Sequence, residues 1–294
     1  MANRPWLRII KVTLGPLEEW RGSRSGELVT WQSDGTLKGL RITGTFQKTI
    51  MGVPSPSQIS LYNLARETRN GIKASLTKIT VEAGWSNTEL RKVFQGSVLN
   101  AYSERSGSDI ITKLAALPGY GGLTRGVSSM TFAPGTDVQE AAKRLAADIP
   151  GVAVNDDNFA GITGKIGDGG WSYAGSTRDG LNQLSEEYGF SWSINDGEFG
   201  AIADQFMMPD FIELNGQSGG LISISPSVTG PLQMETGVKI KALYLPGLTT
   251  GNSVKVVSDI NPRLSGVYRI HTMNISIDAY SEAWTMDIES FKYM

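Results

Sequence analysis

The side chains that most often perform catalysis are scarce in this sequence. His271 is the single histidine, and the chain has no cysteine. A Ser-His-Asp triad would have to use that histidine, which sits in a stretch with the alternation of a β-strand. One histidine without any thiolate also cannot supply a histidine-rich transition-metal site. We therefore expect His271 to be a partly buried strand residue, and the sequence predicts no catalytic, cofactor-binding or metal-binding residues.

Two polar segments in the middle of the chain imitate ligand-binding loops. Asn155–Gly161 places Asp156 like the first ligand of a calcium loop, but the twelfth position is Gly167 where a bidentate Glu is required. Gly161–Ile166 imitates part of a phosphate loop, yet Ile166 replaces the Ser or Thr that would hold magnesium. We interpret both segments as turns exposed to solvent.

Charged residues elsewhere indicate no particular chemistry. Glu186 and Glu187 could furnish the carboxylates of a glycosidase, but a chain with 29 acidic residues offers many such pairs. The densest basic stretch comprises Arg66, Arg69, Lys73 and Lys78. Acidic residues interrupt it, which indicates a solvated face and not a groove for nucleic acid.

The composition predicts a folded chain rich in strands and turns. The sequence has 294 residues, of which 40% are hydrophobic and 19% charged, so it can bury a core. The 35 glycines and 12 prolines favour strands and turns over a helical bundle. A net charge of -2 is too balanced for a protein that coats DNA or anionic lipid. Without cysteine, the fold has no disulfides.

The sequence predicts a soluble protein that is made in the cytoplasm and carries no signal peptide. Arg4, Arg8 and Lys11 interrupt the first apolar stretch, so no hydrophobic region of a signal peptide is present. No run of about 18 apolar residues occurs, and we expect no membrane insertion.

The first hundred or so residues alternate with the period of β-strands. The inward-facing residues of two predicted strands are Leu40, Ile42 and Phe46, and then Ile79, Val81, Ala83 and Trp85. A further strand is predicted for Lys92–Tyr102, and Pro54–Ser57 marks a connection. A helical turn is predicted to end at Asn70-Gly71.

The composition changes near Leu117–Gly122, after which two helices are predicted. The first is capped by Thr136, with Gln139 completing a capping box, and ends before Pro150. The second begins at Ser176 and ends at Gly189. These helices indicate a small α+β unit.

A predicted hairpin follows the second helix. Phe190, Trp192 and Ile194 alternate as a strand, and Asn195-Asp196-Gly197 has the sequence of a tight hairpin turn.

The chain returns to β-structure from about Gly237. The predicted inward residues are Val238, Ile240 and Ala242, then Val254 and Val256, and finally Trp284, Met286 and Ile288. In the stretch before the last set, the apolar positions shift by one residue, from Tyr268 and Ile270 to Met273, Ile275 and Ile277. This shift predicts a β-bulge near His271.

Three stretches, in their order, resemble the phage baseplate or tail hub family, which includes the T4-type hub and the "protein D" group of contractile tails. The first is ISLYNLARETRNGI with KITVEAGW and VFQGSV. The second is YAGSTRDGLNQLSEEYGFSWSINDGEFGAI. The third is GVKIKALYLPGLTTGNSVKV with SGVYRIHTMNISIDAYSEAWTMDIESF.

This resemblance implies a mainly β fold with an α+β insert: two tail-tube-like β-barrel domains plus a small α+β domain. The expected divisions are residues 1–120, 121–235 and 236–294, and the last may share strands with the middle segment, with a boundary near Gln233. The resemblance implies a structural virion protein of the baseplate, assembled in the host cytoplasm. It also implies a homotrimer that adapts the hexameric tail tube to the trimeric central spike. Its expected partners are the tube or a tube-initiator protein, the spike, and other baseplate and tape-measure proteins, but no specific nucleic acid.

Two alternatives remain at this point. A cell-wall-binding or peptidoglycan-degrading tail module would use some of the seven tryptophans. However, alternation assigns Trp85, Trp192 and Trp284 to core faces. A hub-like spike-base protein of a secretion system is the second alternative, and it is equally non-catalytic.

Overall fold

The structure is a computed structural model that describes residues 7–15, 28–34, 39–52, 54–72, 77–217, 220–229 and 234–292. Arg4, Lys73 and the expected boundary near Gln233 lie outside these residues.

In the first part of the chain, the described residues form seven strands and one short helix. Their alternating burial follows the alternation of apolar and polar residues in the sequence. The elements are β1 (Arg8–Gly15), β2 (Val29–Ser33), β3 (Ile42–Thr49), β4 (Ser57–Tyr62), α1 (Arg66–Asn70), β5 (Lys78–Trp85), β6 (Arg91–Ser106) and β7 (Asp109–Leu117).

An α+β insert follows. It contains a two-stranded and a three-stranded sheet beside its helices. The elements are α2 (Tyr120–Leu123), β8 (Val127–Phe132), α3 (Val138–Ala147), β9 (Ala153–Ala160), β10 (Trp171–Ser176), α4 (Thr177–Tyr188), β11 (Phe190–Asn195) and β12 (Glu198–Ala203).

The last part of the chain is again made of strands, with one 3-10 turn at Pro262–Leu264. Its elements are β13 (Phe211–Asn215), β14 (Leu221–Thr229), β15 (Met234–Leu243), β16 (Ser253–Val257), β17 (Gly266–Asp278) and β18 (Trp284–Phe291). The fold is therefore mainly β with a small insert containing helices, which confirms the predicted fold class.

One hydrogen-bonded sheet of 13 strands joins the first and last parts of the chain. Strand β17 makes the connection, because its residues 269–277 pair with β18 while its residues 272–278 pair with β3 on the opposite edge. The amino-terminal half of β17 pairs with β16, which in turn pairs with β13. Both parts of the chain on either side of the insert thus form one continuous sheet.

The sheet curves around a single apolar core. Trp85 on β5 and Trp284 on β18 are separated by five strands along the sheet, yet their ring centroids are 5.5 Å apart. Trp284 is fully buried, and Trp85 is partly buried against the same core. The guanidinium of Arg8 lies over both indoles and donates to the carbonyl of Ser281. Contact between such distant strands requires the apolar face to be concave.

The insert has its own core, formed where α3 and α4 pack on the short sheets. The buried side chains include Val138, Leu145, Leu181, Trp192 and Phe199. Apolar residues at helical spacing on α3 and α4 and at alternate positions on β11 produce these faces, as predicted.

The predicted cap of the first insert helix is wrong. Asp137, and not Thr136, occupies the N-cap position, and no side chain caps the helix. The hydroxyl of Thr136 donates to the carbonyl of Ala133, and the N–H of Val138 instead donates to the carbonyl of Gly164 at 3.0 Å. A backbone bridge from the following loop therefore satisfies one of the free N–H groups at the start of the helix.

The segment Asn155–Gly161 is largely exposed as predicted, but the predicted turn is wrong, because its polar residues lie in strand β9. Strand β9 pairs in parallel with β12 at residues 153–154 and 159–160, and the register shift between these pairs leaves residues 155–158 without a partner on β12. This strand is an edge strand of the insert, where a bulge can expose consecutive polar side chains. Gly161–Ile166 lies in the irregular connection after β9.

Three local predictions are confirmed. The register between β17 and β18 shifts between Ile270 and Thr272, so the bulge lies at His271. Asp196 and Gly197 have φ angles of 55° and 81°, as the tight turn joining β11 to β12 requires. Gly189 ends α4 with a φ angle of 68°.

Strands from the middle of the chain complete the carboxy-terminal part of the sheet. Strand β13 pairs with β16, and β14 pairs with β15. The division into domains at residues 120 and 235, and the count of two barrels, stay predictions.

Candidate functional site

A continuous polar face crosses the large sheet on the side away from the core. In one row, Lys241 lies opposite Asp287, Asp287 opposite Asn274, and Asn274 opposite Gln47. These residues alternate with buried side chains on each of β15, β18, β17 and β3. Alternation in the sequence thus places polar groups from both parts of the chain on one surface.

A second row extends the same face to further strands. Thr285 lies opposite Ser276, which lies opposite Thr45, and Thr45 lies opposite Gln58 on β4. The charges on this face are balanced, as in the ion pair between Lys239 and Glu289 at 3.1 Å. Such a face is hydrated and carries no strong charge of one sign.

Two strand edges of the carboxy-terminal part expose apolar side chains. Among the residues that the structure describes, β13 pairs only with β16, and β14 pairs only with β15. Phe211 and Ile212 on β13 are 49% and 41% exposed, and Ile222 on β14 is 50% exposed. Unpaired edges with exposed apolar residues favour pairing with another chain.

The insert is attached to the sheet by a network of polar contacts at the β11–β12 turn. Lys48 Nζ on β3 lies 2.5 Å from Asp196 Oδ2 in the turn. Lys92 Nζ donates to the carbonyl of Asp196 at 3.2 Å and lies 3.4 Å from Glu198 Oε1. Asn195 Nδ2 donates to the carbonyl of Thr49 at 3.2 Å. The turn therefore contacts β3 and β6 together.

Two further contacts join the insert to the sheet. Buried Arg269 on β17 donates through Nη1 to the carbonyls of Ala203 and Phe206, at 2.8 and 3.0 Å. Gly52 packs against the indole of Trp192, because a Cβ at residue 52 would lie 2.6 Å from the ring. The insert is thus held at three separate points.

Burial changes the ionisation of groups near this junction. It raises the pKa of the Asp196 carboxyl above its ordinary value, and the ammonium of Lys48 opposes that rise. Asp196 also raises the pKa of the Tyr244 hydroxyl, which burial already raises. A hydrogen bond from Asn158 lowers the pKa of Glu198. The junction therefore contains one buried carboxyl, Asp196, and one partly exposed carboxyl, Glu198, whose charge is stabilised by hydrogen bonds.

The residues considered for catalysis do not come together. His271 lies in β17 with its ring 5.1 Å from that of Phe291, and burial lowers its pKa. Glu186 and Glu187 are exposed in the last turn of α4. Within the described parts of the chain, no three acidic or histidine side chains converge to hold a metal ion.

One motif with catalytic spacing was missed in the sequence. Residues 216–220 read Gly-Gln-Ser-Gly-Gly, which has the spacing of a nucleophile elbow. That elbow needs a strand followed by a helix, whereas this segment connects strands β13 and β14. Its central residues, 218 and 219, lie outside the described part of the chain.

The sequence matches the family model "Baseplate hub gp41" over residues 31–290. The chain belongs to this baseplate hub family. Membership makes it a structural component of a virion tail, as the resemblance implied. Among curated proteins, none matches the sequence.

Solved tail proteins share the fold of this hub chain. The tail protein from Neisseria meningitidis MC58 is 10% identical, with a TM-score of 0.62 and 96% of each chain covered. The 43 kDa tail protein of prophage MuSo2 from Shewanella oneidensis is 10% identical, with a TM-score of 0.60, and covers 98% of this chain and 96% of its own.

A secretion-system protein also shares the fold. The E. coli c3393 protein, a type VI secretion component described as similar to the T4 tail proteins gp27 and gp5, is 12% identical, with a TM-score of 0.61. The match covers 88% of this chain and 76% of that protein. Identities this low show a common fold only.

The helices of the hub chain carry no membrane signal. In the parts of the chain that the structure describes, none of them combines the length and hydrophobicity needed to cross a bilayer.

The burial of one junction residue, Lys48, is predictable from the sequence. Lys48 stands at the parity of Ile42 and Phe46 in β3, so alternation places a lysine on the apolar side of the strand. A lysine in such a position requires a partner, and the structure supplies Asp196. Arg269 had no comparable signal, because it lies between two buried residues beside the bulge.

Proposed function

We propose that three copies of this hub chain form a ring with a central channel, placed between the hexameric tail tube and the trimeric spike. The polar face that crosses β15, β18, β17, β3 and β4 carries this proposal, because it joins strands from both sides of the insert. Leu243 on β15, opposite Thr285, is an exposed apolar residue on this otherwise polar face. In the proposed ring this face lines a hydrated channel. Each copy contributes two groups of strands, so three copies offer six similar units to the tube and three identical corners to the spike.

The proposed contacts between copies are made by strand edges. The open edges of β13 and β14, with their exposed apolar side chains, gain backbone partners and lose apolar exposure when another copy pairs with them. The tube or spike partner assists this assembly, so the free chain at low concentration is expected to be monomeric.

The experiment that tests the ring is the copy number and symmetry of the chain in a purified tail particle, measured by cryo-electron microscopy. Three copies at the junction of tube and spike are expected. Six copies with true sixfold symmetry would make the chain a tube or distal-tail ring protein. A position at the base of a secretion spike would favour the secretion-system alternative, and a position on the tail fibres would exclude the hub.

A pair of variants tests the strand edges. Ile222→Lys places a charge on the β14 edge and is expected to prevent incorporation into the particle without changing the melting temperature. Val127→Lys is the matched control, because Val127 is an exposed apolar residue at 72%, but on the insert. Equal incorporation of both variants would exclude the β14 edge as a contact.

We further propose that the chain acts by assembly and not by catalysis. Purified protein is expected to leave the turbidity of a peptidoglycan suspension unchanged, with or without EDTA. Lysis that disappears on replacing Glu186 or Glu187 with Gln would establish the hydrolytic alternative. Membership of the baseplate hub family does not favour that alternative.

The remaining partners follow from the same proposal. The ring contacts a tube or tube-initiator protein on one side and the spike on the other, with tape-measure and other baseplate proteins nearby. Its balanced net charge of -2 fits assembly in the host cytoplasm without specific nucleic acid or membrane insertion. Co-purification of tagged chain from infected cells tests these contacts.

A further inference from the structure

The basic stretch that the sequence placed on a solvated face becomes part of a concave surface. Arg66 and Arg69 on helix α1 face the end of the β6–β7 hairpin, where Arg105 projects from β6. Together they border a cavity of about 510 Å³. Arg105 is more than thirty residues away in sequence, so only the fold brings these three arginines together.

The floor of this arginine pocket is a pair of adjacent strands. Ser103 lies opposite Thr112, and Arg105 lies opposite Ile110, so these four residues share one face of the hairpin. The hydroxyl oxygens of Ser103 and Thr112 are 3.0 Å apart. The floor therefore presents two hydroxyl groups and the guanidinium of Arg105, while α1 forms a wall carrying two further guanidinium groups.

The positive charge of the pocket is not neutralised within the described residues. No ion pair of Arg66, Arg69 or Arg105 is found there, and Glu104, which also borders the cavity, lies 2.7 Å from Lys113. Arginine binds carboxylates with two parallel hydrogen bonds, so three such groups around one cavity favour an anionic ligand.

Within the described residues, one edge of β6 beside the pocket has no strand partner. The ladder between β5 and β6 ends where the N–H of Val98 donates to the carbonyl of Thr77 at 2.9 Å. From Leu99 to Ser106, β6 pairs only with β7 among the described strands. The free backbone groups of this edge can accept an added strand.

The position of the pocket leaves it open to another protein. Lys92, near the other end of β6, contacts the insert, and the 13 residues from there to Arg105 span about 40 Å in a strand. The insert therefore does not cover the pocket.

We propose that this pocket binds an extended, acidic segment of a partner polypeptide, which pairs with the free edge of β6 and presents carboxylates to Arg66, Arg69 and Arg105. In the bound segment, acidic side chains two residues apart would lie on the same face, about 7 Å from each other. This spacing is close to that of Arg66 and Arg69, which are one helical turn apart on α1, so each arginine can meet one carboxylate. Nucleic acid is the less suitable ligand, because it cannot form the backbone hydrogen bonds that the edge of β6 offers to an added strand. This inference goes beyond the proposed ring and does not depend on its symmetry.

Fluorescence polarisation with the full chain tests the chemistry. The probe is a labelled peptide of about eight alternating Asp and Val residues, and its counterpart replaces every Asp with Asn. The Asp peptide is expected to bind and the Asn peptide to fail. Arg66→Ala and Arg69→Ala are each expected to weaken binding by about tenfold. Lys78→Ala, from the same basic stretch but outside the pocket, is the matched control and is expected to leave binding unchanged.

Three results of this assay would overturn the proposal. They are failure of the Asp peptide to bind, an equal loss of affinity in the Lys78→Ala variant, or tighter Arg66- and Arg69-dependent binding of a single-stranded oligonucleotide of equal charge. Thermal melting of each variant shows whether a loss of binding reflects loss of fold.

A cross-linking experiment in purified tail particles then identifies the partner. Arg69→Lys keeps the charge and places an amine in the pocket, which a carbodiimide couples directly to a neighbouring carboxylate. Mass spectrometry is expected to find residue 69 coupled to Asp or Glu of another polypeptide. Coupling only within the same chain would contradict the proposal, whatever the symmetry of the ring.

Discussion

Lys48 Nζ on strand β3 and Asp196 Oδ2 in the β11–β12 turn lie 2.5 Å apart, with side chains only 6% and 19% exposed. The other carboxylate oxygen, Asp196 Oδ1, is buried and has no hydrogen-bond partner in the described structure. The pair joins the large sheet to the insert at a turn whose backbone already requires positive φ angles. Because charge and backbone geometry are both constrained here, we expect the junction to be sensitive to substitution.

Lys48→Met is expected to lower the free energy of unfolding by about 3 kcal/mol, because it leaves the Asp196 carboxylate buried without its ammonium. Chemical denaturation measures the change. Lys239→Met is the control, since Lys239 is 58% exposed, lies 3.1 Å from Glu289 and has no contact with Asp196, and its loss is expected to cost under about 1 kcal/mol. Equal losses in the two variants would mean that the buried pair contributes no more than the exposed one.

The pH dependence of the Lys48→Met variant gives a second prediction. Burial raises the folded-state pKa of Asp196 above its ordinary value of 3.8, and removing the ammonium raises it further. A carboxyl with a raised pKa stabilises the fold below its ordinary pKa, and that stability is lost as pH rises through the folded-state pKa. The difference in unfolding free energy between wild type and the Lys48→Met variant is therefore expected to narrow as pH falls from the folded-state pKa of the variant toward 3.8.

That measurement must account for the charges around Asp196. Lys92 and Glu198 act on its pKa from β6 and β12, and Tyr244, Arg91 and Asp157 lie nearby. Asp196→Asn in the Lys48→Met background removes the carboxyl and is expected to abolish the narrowing. A gap that stays constant with pH in the single variant would contradict the assignment.

The pKa of His271 predicts that stability changes with pH in the opposite direction. Burial, and then the nearby charge of Arg269, lower its pKa below the ordinary value of 6.5. The unfolded chain therefore binds a proton first as pH falls, and the stability contributed by the neutral ring is lost between 6.5 and the folded-state pKa. His271→Gln is expected to make the free energy of unfolding fall less steeply as pH decreases below 6.5. An unchanged slope in acid denaturation would show that His271 is not the group responsible.

The sequence predicts most of the strands because alternation alone determines which residues face the core. Trp284, Met286 and Ile288 are buried in β18 as their spacing requires, and the slip in parity at His271 corresponds to a real bulge. The same alternation places Lys48 on the buried face of β3 and so predicts that it needs an acidic partner. Local patterns therefore predict elements and their buried faces well.

Contacts between distant parts of the chain were not predicted, since no local pattern encodes them. Arg66 and Arg69 were assigned to a solvated face because Arg105 is remote in sequence. Strand β13 has three exposed residues in succession, so no alternation marked it as part of the large sheet. The predicted cap at Thr136 is wrong for a similar reason, because the segment before the helix pairs with a later loop at Asp137 and Lys165, and Asp137 becomes the N-cap residue.

Gly197→Val is expected to destabilise the protein by about 1 kcal/mol or more, because φ at this position is 81° and β-branched residues avoid positive φ. An added Cβ would also lie 2.7 Å from the side chain of Gln95. Gly167→Val is the control, since residue 167 has open space around its Cβ position and no positive φ. Thermal unfolding compares the two, and equal melting temperatures would contradict the role of the turn in stability.

The polar sheet face gives the last prediction, which exploits the absence of cysteine from the chain. Asn274 is exposed on this face, between Asp287 and Gln47. In the proposed ring it faces the channel, so Asn274→Cys is expected to react with a bulky polymer-linked maleimide in the free chain and to be protected in the assembled tail. A small thiol reagent applied to tails that have lost the spike is expected to reach it, because the channel is hydrated and open at that end. Glu187→Cys, at the exposed end of α4, reports whether the maleimide reaches the insert. Rapid reaction of the thiol at residue 274 with the bulky reagent in intact tails would place the polar face outside and exclude it as the channel wall.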